Sequence, residues 1–148
     1  MSDSLVVDAS IALKWQVSEI WSDVASQLLA DWVSQGVNIM APSLLTSEIA
    51  NALYKRVRRG EITIGDAVAS MNDFLAFDIE YVPLPILSVR ALEVADQFGL
   101  KAVYDAHYLA LAEREGCELW TADERLWNTV KDRLAWVKWI GNVRPPQP

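Results

Sequence analysis

Four acidic residues stand where strands and helices of this chain begin or end. Asp8 follows the apolar run Leu5-Val6-Val7, Glu48 lies inside a helical stretch, Asp105 starts another, and Asp123 comes just after Glu118-Leu119-Trp120-Thr121. Carboxylates suit hard divalent cations, and Mg²⁺ prefers carboxylate and water oxygens in octahedral geometry. Three or four acids converging from separate elements would suit one ion, or two about 4 Å apart. Such ions can activate a water and neutralise charge growing on a phosphate, which hydrolysis of a phosphodiester at neutral pH requires. Asp8 is the hardest of the four to explain otherwise. A carboxylate at the end of an apolar strand is costly unless it is paired, caps a helix or binds an ion. Glu48 alone also reads as a solvated helix residue, and Asp105 and Asp123 as first-turn acids favoured by a helix dipole.

Apolar period and punctuation place the supporting elements. The strand ending at Asp8 leads into a helix over 11–15, with Ser10 as a candidate N-cap. An amphipathic stretch over 20–33 puts Val24, Leu28 and Trp32 on one stripe and stops at Gly36, and a strand over 37–40 closes at Pro42. Ser43 is a candidate cap for a helix through Leu45, Ile49 and Leu53 to Gly60. Thr63 opens another through Ala67, Met71 and Phe74, and Tyr81-Val82 forms a short strand before Pro83 and Pro85. Ser88 then caps a helix ending at Gly99, a helix over 104–115 ends at Gly116, and a strand over 118–121, a helix over 126–134 and an edge strand over 136–140 complete the chain. Alternation of this kind implies an α/β fold, helices covering both faces of a mostly parallel sheet of four to five strands. Its ligand site should lie at the carboxyl ends of the strands, where Asp8 and Asp123 fall.

Length and composition fit one domain: 148 residues, 52% apolar and 22% charged, with prolines clustered only in a tail over about 143–148 that is expected to be flexible. The single cysteine, Cys117, cannot form an intramolecular disulfide and reads as a core thiol in a reducing compartment. The first residues lack a basic signal-peptide segment, and no stretch approaches membrane-spanning length, so a cytoplasmic protein without a membrane partner is expected. The net charge of -7 opposes nucleic-acid binding, which depends on Lys and Arg neutralising phosphates. Carboxylates gathered for metal account for part of that charge. The basic residues are also uneven, with Lys55, Arg56, Arg58 and Arg59 clustered at the end of the Glu48 helix as a candidate RNA contact, though they also complement that helix's dipole.

The series Val6-Val7-Asp8-Ala9-Ser10, Pro42-Ser43-Leu44-Leu45-Thr46-Ser47-Glu48, Tyr104-Asp105-Ala106-His107-Tyr108 and Thr121-Ala122-Asp123-Glu124-Arg125-Leu126 resembles the PIN domain. More narrowly it resembles the VapC ribonuclease toxins of toxin-antitoxin pairs, over nearly the whole chain. The resemblance implies a PIN-like three-layer fold and Mg²⁺- or Mn²⁺-dependent endoribonuclease activity, with Asp8, Glu48, Asp105 and Asp123 at the family's acidic positions. Ser10 and Thr121 match supporting hydroxyl positions. It further implies an RNA substrate, a cognate antitoxin that blocks the acidic groove, and a homodimer. The early helices, with Trp21 or Trp32, and the face from Leu44 to Leu53 are candidate partner surfaces.

His107, the only histidine, invites a role as general base, but on a helix it points roughly 200° away from Asp105. The seven tryptophans invite base stacking, yet Trp15, Trp32 and Trp120 fall on apolar stripes or in strands and read as core. Two rivals to a toxin remain: a housekeeping RNA-processing nuclease of the same fold, and a phosphoaccepting signalling receiver, which also gathers acids around Mg²⁺ at strand ends. The receiver pattern fits less well, because Asp8 is followed by Ala9-Ser10 rather than by a second acid.

Overall fold

A computed structural model describes residues 3–143. Strands β1 (Ser4–Val7), β2 (Asn38–Pro42), β3 (Ile79–Val82), β4 (Glu118–Thr121) and β5 (Val137–Trp139) alternate with helices. These are α1 (Ala9–Gln16), α2 (Ser22–Ser34), α3 (Leu44–Arg58), α4 (Ile64–Leu75), α5 (Leu84–Phe98), α6 (Tyr104–Glu115) and α7 (Glu124–Val130). All four strand pairings are parallel, in the order β3-β2-β1-β4-β5. Right-handed crossovers then put α1 to α4 on one face and α5 to α7 on the other. The packing agrees: α1 lies against α2, α3 and α4, whereas α5 packs on α6. Chain order reverses between β1 and β4, so their carboxyl ends flank the crevice where a doubly wound sheet binds ligands.

β1 is the central strand, with Val6 and Val7 fully buried between β2 and β4. An unbroken apolar strand covered on both faces is what a parallel sheet demands. Leu45, Ile49 and Leu53 of α3 join this core, and Trp32 is 7% exposed. The expected partner surface from Leu44 to Leu53 is therefore interior along those three positions, as is Trp32, while Trp21 is half-buried in a left-handed turn. Among the described residues no helix is long and apolar enough to cross a membrane.

Several boundaries differ from expectation for identifiable reasons. The helix assigned to a Ser88 cap begins a turn earlier, at Leu84, because proline is tolerated in a first turn, and the Ser88 Oγ bonds back to the Leu84 carbonyl. The last helix starts at Glu124 because Asp123 itself accepts from the first-turn N–H groups. Likewise Asp8, not Ser10, caps α1. Ser43 makes no side-chain cap bond, whereas Thr63 and Asp66 form a reciprocal capping box. In the expected tail, Val143 is half-buried and its N–H bonds to the Ile140 carbonyl; residues 144–148 lie outside those described.

Candidate active site

Asp8 terminates β1 and opens α1, so its backbone belongs to the sheet while its side chain turns over the strand ends. It is 5% exposed. Its Oδ1 accepts from the Ser10 hydroxyl at 2.5 Å and the Ile11 N–H at 3.2 Å, and its Oδ2 accepts from the Thr121 hydroxyl at 2.5 Å. Burial pushes its carboxyl up to about 7, although the three hydrogen bonds oppose that rise, and the charge of Asp105 adds to it.

Ser10 and Thr121 tie Asp8 to the other bank of the crevice. Ser10 Oγ accepts from the Ala122 N–H at 2.8 Å, and Thr121 Oγ1 accepts from the Asp123 N–H at 3.0 Å. Each hydroxyl has one proton, and each proton is committed to Asp8. The 3.3 Å approach of the two hydroxyls to each other is therefore a contact between acceptors. Thr121 is fully buried and connects β1, β4 and the α7 cap.

Asp123 spends Oδ1 on the N–H groups of Arg125 and Leu126; among the described residues Oδ2 has no donor. Asp105, in the first turn of α6, accepts no hydrogen bond among them. Its side chain reaches solvent but is flanked by protein, and this partial desolvation, followed by the charge of Asp123, raises its carboxyl above the ordinary range. Glu48 crosses from α3 on the opposite face of the sheet and accepts from the buried Tyr108 hydroxyl at 2.5 Å. Desolvation raises Glu48, the Tyr108 bond opposes, and Asp105 adds to the rise. The Tyr108 proton is held far above the phenolic range by burial and by the charges of Glu48, Asp8 and Asp105.

The four acids thus share one electrostatic field with Asp105 at its middle: Asp8 and Glu48 feel its charge, and it feels that of Asp123. Among the described residues no Lys or Arg pairs with any of them. An uncompensated set of hard oxygen donors, three of them with an oxygen free of protein donors among the described residues, is chemically suited to a divalent cation. It is not a closed cage: among the described residues no three acid, histidine or cysteine side chains are grouped tightly enough to ligate an ion unaided. Mg²⁺ usually keeps several of its waters and takes only one or two carboxylates directly, so an open, water-bridged arrangement fits it.

Other sequence candidates land elsewhere. The basic group at the end of α3 lies about 10 to 16 Å along the helix axis from Glu48. There Arg56 pairs with Glu19 at 2.8 Å and Glu61 at 3.4 Å, and Arg59 pairs with Glu61, which leaves Lys55 and Arg58 free of ion pairs among the described residues. His107 is buried between the Val103 carbonyl and the Ser88 hydroxyl and faces away from the acids. Tyr108 is the residue that sequence reasoning passed over. Its signal was one hydroxyl-bearing ring in the Ala- and Leu-rich run that α6 buries, three positions after Asp105.

Comparison with known proteins identifies the family and the fold. The family model for the PIN domain matches residues 5–132. The chain is 35% identical to ribonuclease VapC3 of Pyrobaculum aerophilum over 126 residues, 82% of this chain and 91% of that protein. It is 32% identical to ribonuclease VapC9 of Mycobacterium tuberculosis over 125 residues, 84% of this chain and 90% of that one. Among solved structures, PAE2754 of Pyrobaculum aerophilum superposes with a TM-score of 0.68 at 25% identity, covering 91% of this chain and 83% of its own. VapC20 of Mycobacterium tuberculosis, described as a Sarcin-Ricin loop cleaving toxin, shares the fold with a TM-score of 0.66 at 18% identity, covering 95% and 99%.

Proposed function

This chain belongs to the PIN-domain family, among the VapC ribonucleases, and we propose that it is a Mg²⁺- or Mn²⁺-dependent endoribonuclease acting as the toxin of a toxin-antitoxin pair. The observation that carries the reading is that Asp105 and Asp123 line one groove, Thr121 ties Asp8 to the Asp123 backbone and Tyr108 ties Glu48 to the Asp105 helix, with no protein cation paired to any of the four among the described residues. These four would hold the ion. When bound, it supplies Lewis-acid stabilisation of the phosphate and lowers the pKa of water.

The protein's own part is positional. Ser10 and Thr121 fix both oxygens of Asp8, the α7 N–H groups fix one oxygen of Asp123, and Tyr108 fixes Glu48. Thr121 is fully buried and cannot meet a substrate, and the Ser10 oxygen already accepts from the Ala122 N–H, so water is taken as the attacking group, with no covalent enzyme intermediate. Protein stripped with EDTA should not cleave single-stranded RNA, and Mg²⁺ or Mn²⁺ should restore cleavage; full activity in EDTA would overturn the reading. In the same assay, a cognate antitoxin presenting a basic segment to the acidic groove should suppress the restored cleavage.

Similarity to the VapC ribonucleases favours the toxin over a housekeeping nuclease, and family membership removes the ground for the receiver alternative. The RNA target and the buried free thiol of Cys117 support work in the reducing cytoplasm. A homodimer is supported by one side of α5, where Ile86, Val89 and Leu92 are 50%, 73% and 65% exposed. Val89→Asp should shift the protein to monomer in analytical ultracentrifugation, and an unchanged sedimentation profile would place the interface elsewhere.

A further inference from the structure

A polyanionic substrate needs cations, and in this acidic chain most are committed. Among the described residues Lys14, Arg56, Arg59, Arg90 and Lys138 are in ion pairs, Lys131 lies over the Trp127 ring, and Arg133 lies over Phe98. Lys55, Arg58, Lys101, Arg114 and Arg125 have neither kind of partner. Of these five, Lys101 and Arg125 line an open groove of about 390 Å³ whose wall includes Asp105 and Asp123. Lys101 comes from the loop between α5 and α6, and Arg125 from the first turn of α7. Both are exposed, and neither reaches ion-pair distance of the acids whose groove it shares.

Cations unpaired beside carboxylates are not there to neutralise them; they are free to meet a ligand that brings its own negative charge. Resting on the ribonuclease reading, we propose that Lys101 and Arg125 are positioning residues that grip backbone phosphates of single-stranded RNA on either side of the bond to be cut. Aromatic stacking does not replace this grip at the nearby tryptophan cluster. Trp127 is stacked on Trp139 at 5.0 Å with Lys131 over its ring, and the Trp139 ring lies against Gly141, where a Cβ would stand 2.3 Å from it. Phosphate contacts position the strand without reading bases, so the grip is indifferent to sequence.

The test is fluorescence anisotropy with labelled single-stranded RNA oligonucleotides of several sequences, on the Asp8→Asn background so that none is cut. Lys101→Gln/Arg125→Gln should weaken binding about tenfold or more in low salt and flatten the log affinity against log salt slope by about 1.4, near 0.7 per phosphate contact. The loss should be equal across sequences. With Asp8 restored, the double variant should raise KM while kcat stays within about twofold, and Lys101→Arg should behave as wild type. An unchanged slope overturns the proposal. So does an equal flattening by Lys55→Gln/Arg58→Gln, because the effect would then be one of net charge. Absence of RNA cleavage by the wild-type protein would instead sink the ribonuclease reading itself.

Discussion

Asp8→Asn should lose metal-dependent RNA cleavage by about three orders of magnitude or more while remaining folded. Asparagine keeps the shape and one carbonyl oxygen, so the Ser10 hydroxyl and Ile11 N–H retain their acceptor and α1 keeps its cap. Its amide meets Thr121 Oγ1, which can rotate its proton away and accept. What disappears is the negative charge, and with it the acid most deeply set among the four. Initial rates on single-stranded RNA at saturating Mg²⁺ or Mn²⁺, with circular dichroism to confirm the fold, check this directly. Full activity would remove Asp8 from the site.

The same substitution should stabilise the metal-free protein, which a purely structural acid would not do. Burial pushes the Asp8 carboxyl up to about 7 in the folded chain from the ordinary aspartate value of 3.8, because it penalises the charge. The folded state therefore binds that proton more tightly than the unfolded one. Ionisation costs the fold stability from about pH 4 upward, and the cost is complete above about pH 7, reaching at most about 4 kcal/mol. Wild-type protein in chelator should lose stability between pH 4 and 8 in urea titrations. Asp8→Asn should lose markedly less, with a residual dependence of the same sign from Glu48 and Asp105, whose carboxyls are also raised. Divalent cation should raise the wild-type Tm at pH 8 and do so far less for the variant, because a ligand stabilises only the state that binds it.

How far the sequence revealed this site depended on which forces acted locally. Asp8 and Asp123 were legible because strand ends are written in apolar runs, and a parallel alternating fold sends its ligand to those ends. The α6 helix was legible to both of its termini, 104–115, since Gly116 supplies the left-handed cap that stops it. Ser88 misled because a serine beside prolines looks like a start, whereas Pro85 sits comfortably inside the first turn of α5. The Tyr108 bond to Glu48 joins residues 60 positions apart and is set by packing across the sheet edge, which no local pattern records. The state of the basic cluster is long-range in the same way. Lys55 to Arg59 are neighbours in sequence, but Arg56 turns toward Glu19, 37 positions earlier, and Arg59 toward Glu61, so Lys55 and Arg58 alone of the four are free of ion pairs among the described residues.

Thr121→Val should be the most damaging change that leaves all four acids in place. The valine matches threonine in shape but has no hydroxyl, and position 121 is fully buried, so no water can stand in. Two groups lose their partner at once: Asp8 Oδ2, which accepted the threonine proton at 2.5 Å, and the Asp123 N–H, which donated to its oxygen at 3.0 Å. Unsatisfied buried groups cost about 1–3 kcal/mol each, so for the two together a fall in stability of about 2–6 kcal/mol is expected in urea titration. The Asp8 carboxyl, stripped of one bond that held it down, rises further and is more often protonated at neutral pH. Protons and metal compete for that oxygen, so the Mg²⁺ concentration giving half-maximal cleavage should rise about 10- to 100-fold, as for other partners that orient a ligating carboxylate. Raising the pH should offset part of this defect, since it removes the competing proton. Thr121→Ser, which keeps the hydroxyl and loses only a methyl group, should recover most of the wild-type Mg²⁺ dependence. If valine left that dependence unchanged, the hydroxyl would be a packing feature and Asp8 would be held by Ser10 and the α1 cap alone.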